Sequence, residues 1–146
     1  MIARRDEILH KVDQWVVYAE EDLRLARHAL SIASGCPYRL IAYHAQQCAE
    51  KYLKAFLVFH GIDFPYTHNI SHLMELCAGK ADWTETLLEA EELTPFAVTA
   101  RYPCEDEEVS KEEALRAIDV ASHLREVIRN ALSSEGIDLP ETSILK

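Results

Sequence analysis

The chain has 146 residues, 49% of them hydrophobic and 27% charged, with four glycines and five prolines. These counts suit one domain of ordinary size with its own core. They exclude collagen-like, low-complexity and disulfide-scaffold chains, and so few glycines argue against a β-rich or loop-rich protein. Twenty-five acidic against fifteen basic residues leave a net charge of −10, which disfavours a broad electrostatic footprint on nucleic acid or on an anionic membrane surface.

No apolar stretch approaches the roughly 20 residues of a membrane span. The opening Met1-Ile2-Ala3-Arg4-Arg5-Asp6-Glu7 lacks the apolar core of a signal peptide. The cysteines, Cys36, Cys48, Cys77 and Cys104, form no C-x-x-C pair and read as reduced thiols of a cytoplasmic protein.

In chain order, apolar residues at Ile8, Val12, Trp15, Ala19, Leu23, Ala26 and Leu30 predict a first helix from Asp6 to about Ser31. Ser34-Gly35-Cys36-Pro37 stops it, and a second helix follows from Tyr38 to His60. Asp63-Phe64-Pro65-Tyr66 is a loop. Asn69 caps a short third helix, Ile70 to Cys77. A fourth runs from Trp83 to Leu93, with Thr94-Pro95 as a kink before Phe96-Ala97-Val98. Ser110-Lys111-Glu112-Glu113 is a capping box that opens a fifth helix to Leu132, with Leu115, Ile118, Ala121, Leu124, Ile128 and Leu132 as its apolar stripe. The expected fold is all-α: an up-and-down bundle of four to five helices over residues 6–134, with a loose tail at 135–146.

The second helix is the informative one. Its apolar arc (Ile41, Ala45, Cys48, Ala49, Tyr52, Phe56, Phe59) is wide enough for a helix buried on more than one side. Ala42, Ala45 and Ala49 permit close approach by a neighbour. Gln46, Glu50 and Lys54 stack at intervals of four into one polar rib at the margin of the arc, and His44, Gln47 and Lys51 form a second. At that margin Gln46 and Glu50 are half buried and need partners, either as a simple Glu50–Lys54 pair or as a polar site.

Tyr43-His44-Ala45-Gln46-Gln47-Cys48-Ala49-Glu50-Lys51-Tyr52-Leu53-Lys54-Ala55 resembles the signature helix of the HEPN family, the higher eukaryote and prokaryote nucleotide-binding domain. Thr67-His68-Asn69-Ile70, Ala100-Arg101-Tyr102-Pro103 and the first-helix set Trp15, Ala19, Asp22, Leu23 and Ala26 are similar to further family blocks, in the same order. The resemblance covers residues 10 to 130 and implies a HEPN-like helical homodimer. It further implies a partner, a separately encoded minimal nucleotidyltransferase, in a toxin–antitoxin-like pair. It also implies a nucleotide site, for ATP or another nucleotide, on Gln46, Glu50, Lys54, His68, Arg101 and Tyr102. There Lys54 and Arg101 would take phosphate, Gln46 would read a base or brace the loop, and Tyr102 would stack. Alternatively Arg101 only pairs with Glu50 and pins the loop. No cofactor is expected.

One branch of that family consists of metal-independent ribonucleases with an R-x(4–6)-H motif. Arg39 and His44 fit the spelling but diverge by about 140° on a regular helix. Arg116 and His123 lie on one face of the last helix and are the weak catalytic candidates, with RNA as substrate only in that case. A third possibility is a helical dimer serving only as an interaction module. His68 and His72 have the spacing of a metal-ligand pair but lack a third ligand, so no metal is assigned. No glycine-rich phosphate loop is present.

Overall fold

The structure, a computed structural model, describes residues 2–99 and 108–140, with the side chains of residues 2, 3, 98 and 99 left aside. Its described elements are α1 (Ile2–Ala29), α2 (Tyr38–Phe59), α3 (Ile70–Cys77), a 3-10 segment (Thr84–Leu93), α4 (Phe96–Thr99) and α5 (Lys111–Ser134). None of these helices is long and apolar enough to cross a membrane.

The ends of the long helices are set by local chemistry. At α2 the chain turns through Gly61 at φ +68°, and the Gly61 and Ile62 amides reach back to Val58 and Leu57 carbonyls at 3.1 and 2.9 Å. At α5 Gly136 (φ +88°) and Ile137 do the same to Ser133 and Leu132, at 3.0 and 3.3 Å. Both are Schellman endings, which require a left-handed residue that glycine adopts without steric cost. Asn69 Oδ1 accepts the His72 amide at 3.1 Å and starts α3. The capping box of α5 is complete: the Glu113 amide donates to Ser110 Oγ at 3.0 Å, and the Ser110 amide donates to Glu113 Oε1 at 3.1 Å.

α2 lies at the centre and touches every other helix. Ala42, Ala45 and Ala49 are fully buried, so side-chain volume does not hold its neighbours apart. α1 packs along one side through Val12, Val16, Ala19, Leu23 and Ala26, and α5 along another through Ala117, Ala121, Leu124, Ile128 and Leu132. α1 and α5 approach each other over only a short stretch, and polar groups bridge their seam.

Three local expectations change. The 84–93 segment is 3-10 rather than α, broken at Leu87 (φ −116°, ψ 23°). Its buried residues Leu87, Ala90 and Leu93 recur every three, the repeat of a 3-10 helix and not of an α-helix. Leu115, placed in the α5 stripe by sequence, is exposed, while Ala114 and Ala117 take the inner face. The chain after α5 stays on the bundle through Pro140: Ile137 is buried and Arg129 Nη2 donates to the Pro140 carbonyl at 2.9 Å.

These placements give opposite expectations for two leucines on one helix. Leu124→Ala should cost about 2–5 kcal/mol in urea unfolding, whereas Leu115→Ala should stay within about 0.5 kcal/mol. Equal losses would contradict the assigned face.

Candidate functional site

Gln46 and Glu50, expected at half burial, are sealed: Gln46 is 0% exposed, Glu50 3% and Lys54 4%. The wide apolar arc places them beneath the loop that carries His68, so each polar atom must find a protein partner. Glu50 Oε1 accepts from Gln46 Nε2 at 3.1 Å and hydrogen-bonds His68 Nδ1 at 2.7 Å, while Glu50 Oε2 accepts from Lys54 Nζ at 3.0 Å. Gln46 Nε2 also donates to the His68 carbonyl at 3.2 Å, and Gln47 Nε2 donates to Gln46 Oε1 at 2.7 Å. Three of the six expected site residues, Gln46, Lys54 and His68, therefore converge on a fourth, Glu50. Arg101 and Tyr102 lie outside the described residues, as does Cys104.

The Lys54 ammonium is enclosed on its other side by rings. Its Nζ sits 5.5 Å from the Trp15 centroid, 5.7 Å from Phe64 and 5.9 Å from Tyr66. Such contacts suit a desolvated cation. Trp15 and Phe64 meet edge to face at 6.4 Å, and Tyr66 and His68 at 5.3 Å. His68 is partly exposed and Tyr66 is fully at the surface. The site is thus a closed polar centre with an aromatic lip.

A second buried carboxylate, Glu20, lies on the α1–α5 side of α2. Its Oε1 accepts from Tyr52 Oη, from Arg125 Nε at 2.8 Å and from Arg129 Nη1 at 3.0 Å; Oε2 is sealed without a hydrogen bond. Burial, then the hydrogen bond and charge of Glu20, push the Tyr52 hydroxyl well above its ordinary value near 10. Asp22 joins α1 to the second polar rib of α2, at 2.8 Å from His44 Nδ1 and 2.5 Å from Lys51 Nζ.

The weak catalytic candidates come together on the outer face. His123 Nδ1 is 2.8 Å from Glu89 Oε1, and Arg116 Nη2 is 3.7 Å from Glu89 Oε2 and 3.1 Å from Glu92 Oε2. One carboxylate of the 3-10 segment thus lies between them. Arg39 and His44 are not brought together: Arg39 is exposed and His44 is turned onto Asp22.

The sequence profile of the HEPN domain matches residues 12–131. The chain is a HEPN-domain protein. Over 135 residues it is 32% identical to a Methanocaldococcus jannaschii protein named "Putative toxin MJ1304", covering 80% of this chain and 85% of that one. The crystal structure of ST0689, an archaeal HEPN homologue, superposes with a TM-score of 0.65 at 30% identity, over 83% of this chain and 97% of its own. That of TT1696 from Thermus thermophilus superposes at 0.66 with 24% identity, over 82% and 97%, and supports the fold alone.

Within this HEPN bundle the buried thiols are poorly disposed to react. Burial pushes Cys77 up to about 12, and burial followed by the Glu20 and Asp22 charges pushes Cys48 higher still. A cavity of about 550 Å³ is lined by Phe56, Lys80, Asp82, Trp83, Ser134 and Glu135, away from Glu50 and His68. The Glu20 knot and the Tyr66 lip are not singled out by sequence reasoning. Glu20 carries a signal: it follows Val12 and Val16 at intervals of four and so falls on the inner face of α1. Tyr66 carries none beyond its place in a loop.

Removing Glu50 alone leaves a buried ammonium unpaired, so Glu50→Ala should cost about 3–5 kcal/mol. The double variant Glu50→Leu, Lys54→Met should lose clearly less, because it removes the charge together with its partner. Urea unfolding in which the single and the double variant lose equally would refute the pairing. Tyr52 gives the pH dependence. The folded state keeps a proton that the unfolded chain releases above about pH 10, so stability falls as pH rises through and beyond that value. Tyr52→Phe should flatten that alkaline decline, read from melting temperatures across about pH 9–11.

Proposed function

We propose that this HEPN protein is the non-catalytic member of a toxin–antitoxin-like pair. It would act as a cytoplasmic homodimer, bind a separately encoded minimal nucleotidyltransferase, and hold a nucleotide at the lip of the Glu50 centre. The observation that carries this reading is the convergence of Gln46, Lys54 and His68 on Glu50 beneath an exposed aromatic ring. Gln46, Glu50 and Lys54 are too buried to wrap a ligand, so in this reading they fix the position of His68, the member of the cluster within reach of solvent. Arg101 and Tyr102 complete the proposed site, Arg101 as the phosphate cation. The kinship with a protein named as a toxin supports the pairing.

The test is calorimetric titration of ATP and AMP into wild type, His68→Ala and Arg101→Ala, beside co-purification with a co-expressed minimal nucleotidyltransferase. Binding weakened about tenfold by either substitution supports the site, since a hydrogen bond to a charged group is worth about 1.5–3 kcal/mol. No binding of either nucleotide removes it, and failure to co-elute removes the partnership.

A metal-independent ribonuclease is the second reading, and one observation favours it: Glu89 contacts both Arg116 and His123 on the surface. A carboxylate on Nδ1 orients imidazole for acid–base work, and a nearby guanidinium suits a phosphorane. The surrounding charge opposes it, because Glu92 and Asp119 also bear on Arg116 and would repel an RNA phosphate. RNA cleavage and growth arrest abolished by His123→Ala would reverse the order of the two readings.

A further inference from the structure

We infer that Tyr66 is the base-stacking residue of the nucleotide site, and that the described part of the site recognises a ligand through its planar base and not through its phosphates. The inference rests on the reading of this lip as a nucleotide site.

The charges of the centre come first. Glu50 and Lys54 cancel each other at 3.0 Å, and the Lys54 side chain is only 6% exposed. Its ammonium is already enclosed by a carboxylate and three rings. A phosphate approaching this lip meets no uncompensated lysine, and to reach Lys54 it would have to displace Glu50 from a buried position.

The aromatic geometry then offers something else. Tyr66 is 86% exposed, yet its ring is held on its inner side: Lys54 Nζ lies over the ring at 5.9 Å, and His68 meets it nearly edge-on at 5.3 Å, interplanar angle 77°. His68 is itself tied to Glu50. The outer face of Tyr66 is therefore a positioned, water-facing aromatic surface. A cation beneath one face of a ring draws its electron density inward, which favours an electron-rich π system such as adenine on the other face. Base–aromatic stacking needs no phosphate contact and tolerates sequence. An adenine is presented alike by a mononucleotide and by single-stranded RNA, and the experiment separates the two.

The experiment titrates adenosine, AMP, ATP and a six-base oligoadenylate into wild type, Tyr66→Ala, Tyr66→Phe and Tyr66→Trp at fixed salt. The exposed position makes all three variants compatible with folding, which circular dichroism melts would verify. The expected result is measurable adenosine binding, with every bound ligand weakened by a common factor of about five or more in Tyr66→Ala and retained in Tyr66→Phe and Tyr66→Trp, as stacking energies of about 1–3 kcal/mol per base imply. Oligoadenylate binding tighter than AMP and lost in Tyr66→Ala would also support stacking and identify RNA as the source of the base. ATP binding without adenosine binding, or ligand affinities unchanged in Tyr66→Ala, would overturn the inference while leaving the nucleotide site standing. Absence of binding by all four ligands would overturn both.

Discussion

Removing a carboxylate from water obliges the protein to match each of its oxygens, and Glu50 imposes that demand at the centre of α2. The match is made by Lys54 one turn on, Gln46 one turn back and His68 from beyond the end of the helix. Only the last is remote in sequence, so the carboxylate fixes where the 63–68 loop must lie. From there the path is short: Asn69 caps α3, and the Ile70 amide donates to Thr94 Oγ1 at 3.1 Å, which ties the start of α3 to the end of the 3-10 segment. One buried charge thereby organises the short elements that cover the long helices. Its net stabilisation is modest, since buried pairs barely repay desolvation.

Glu20 is buried on another side of α2, and there the chain concentrates its donors on one oxygen, Oε1, while Oε2 is left without a hydrogen bond. Two arginines and a tyrosine meet one carboxylate there, where a lysine, a glutamine amide and a histidine meet Glu50. Guanidinium carries more donors in a rigid fork than ammonium does, which suits a seam where α1 and α5 come close over only a short stretch. The outer faces, by contrast, carry exposed pairs such as Arg116 with Glu92, each worth little to stability.

The sequence makes the backbone plan legible because its cues are local: Asn69, the Ser110 box and the glycine stops act within a few residues of themselves. The Gln46–Glu50–Lys54 rib is legible for the same reason, as spacing on one helix. Its depth is not, because burial depends on the loop that folds over it. The pairing of Glu20 with Arg125 and Arg129 spans more than a hundred residues, and no short-range pattern encodes which margin arginine will reach which inner carboxylate. The 3-10 segment reads as α because Leu87, Ala90 and Leu93 also satisfy half of an α-helical stripe, and three apolar positions do not separate the two periods.

Arg129 has one further effect. The same guanidinium holds the Glu20 carboxylate and the Tyr52 hydroxyl with one nitrogen and the carbonyl of Pro140 with the other. The 135–140 segment is thereby fastened by a group that also holds a buried carboxylate. Losing the Pro140 contact would therefore free a guanidinium nitrogen of the buried Glu20 cluster and not merely loosen a surface strand of chain.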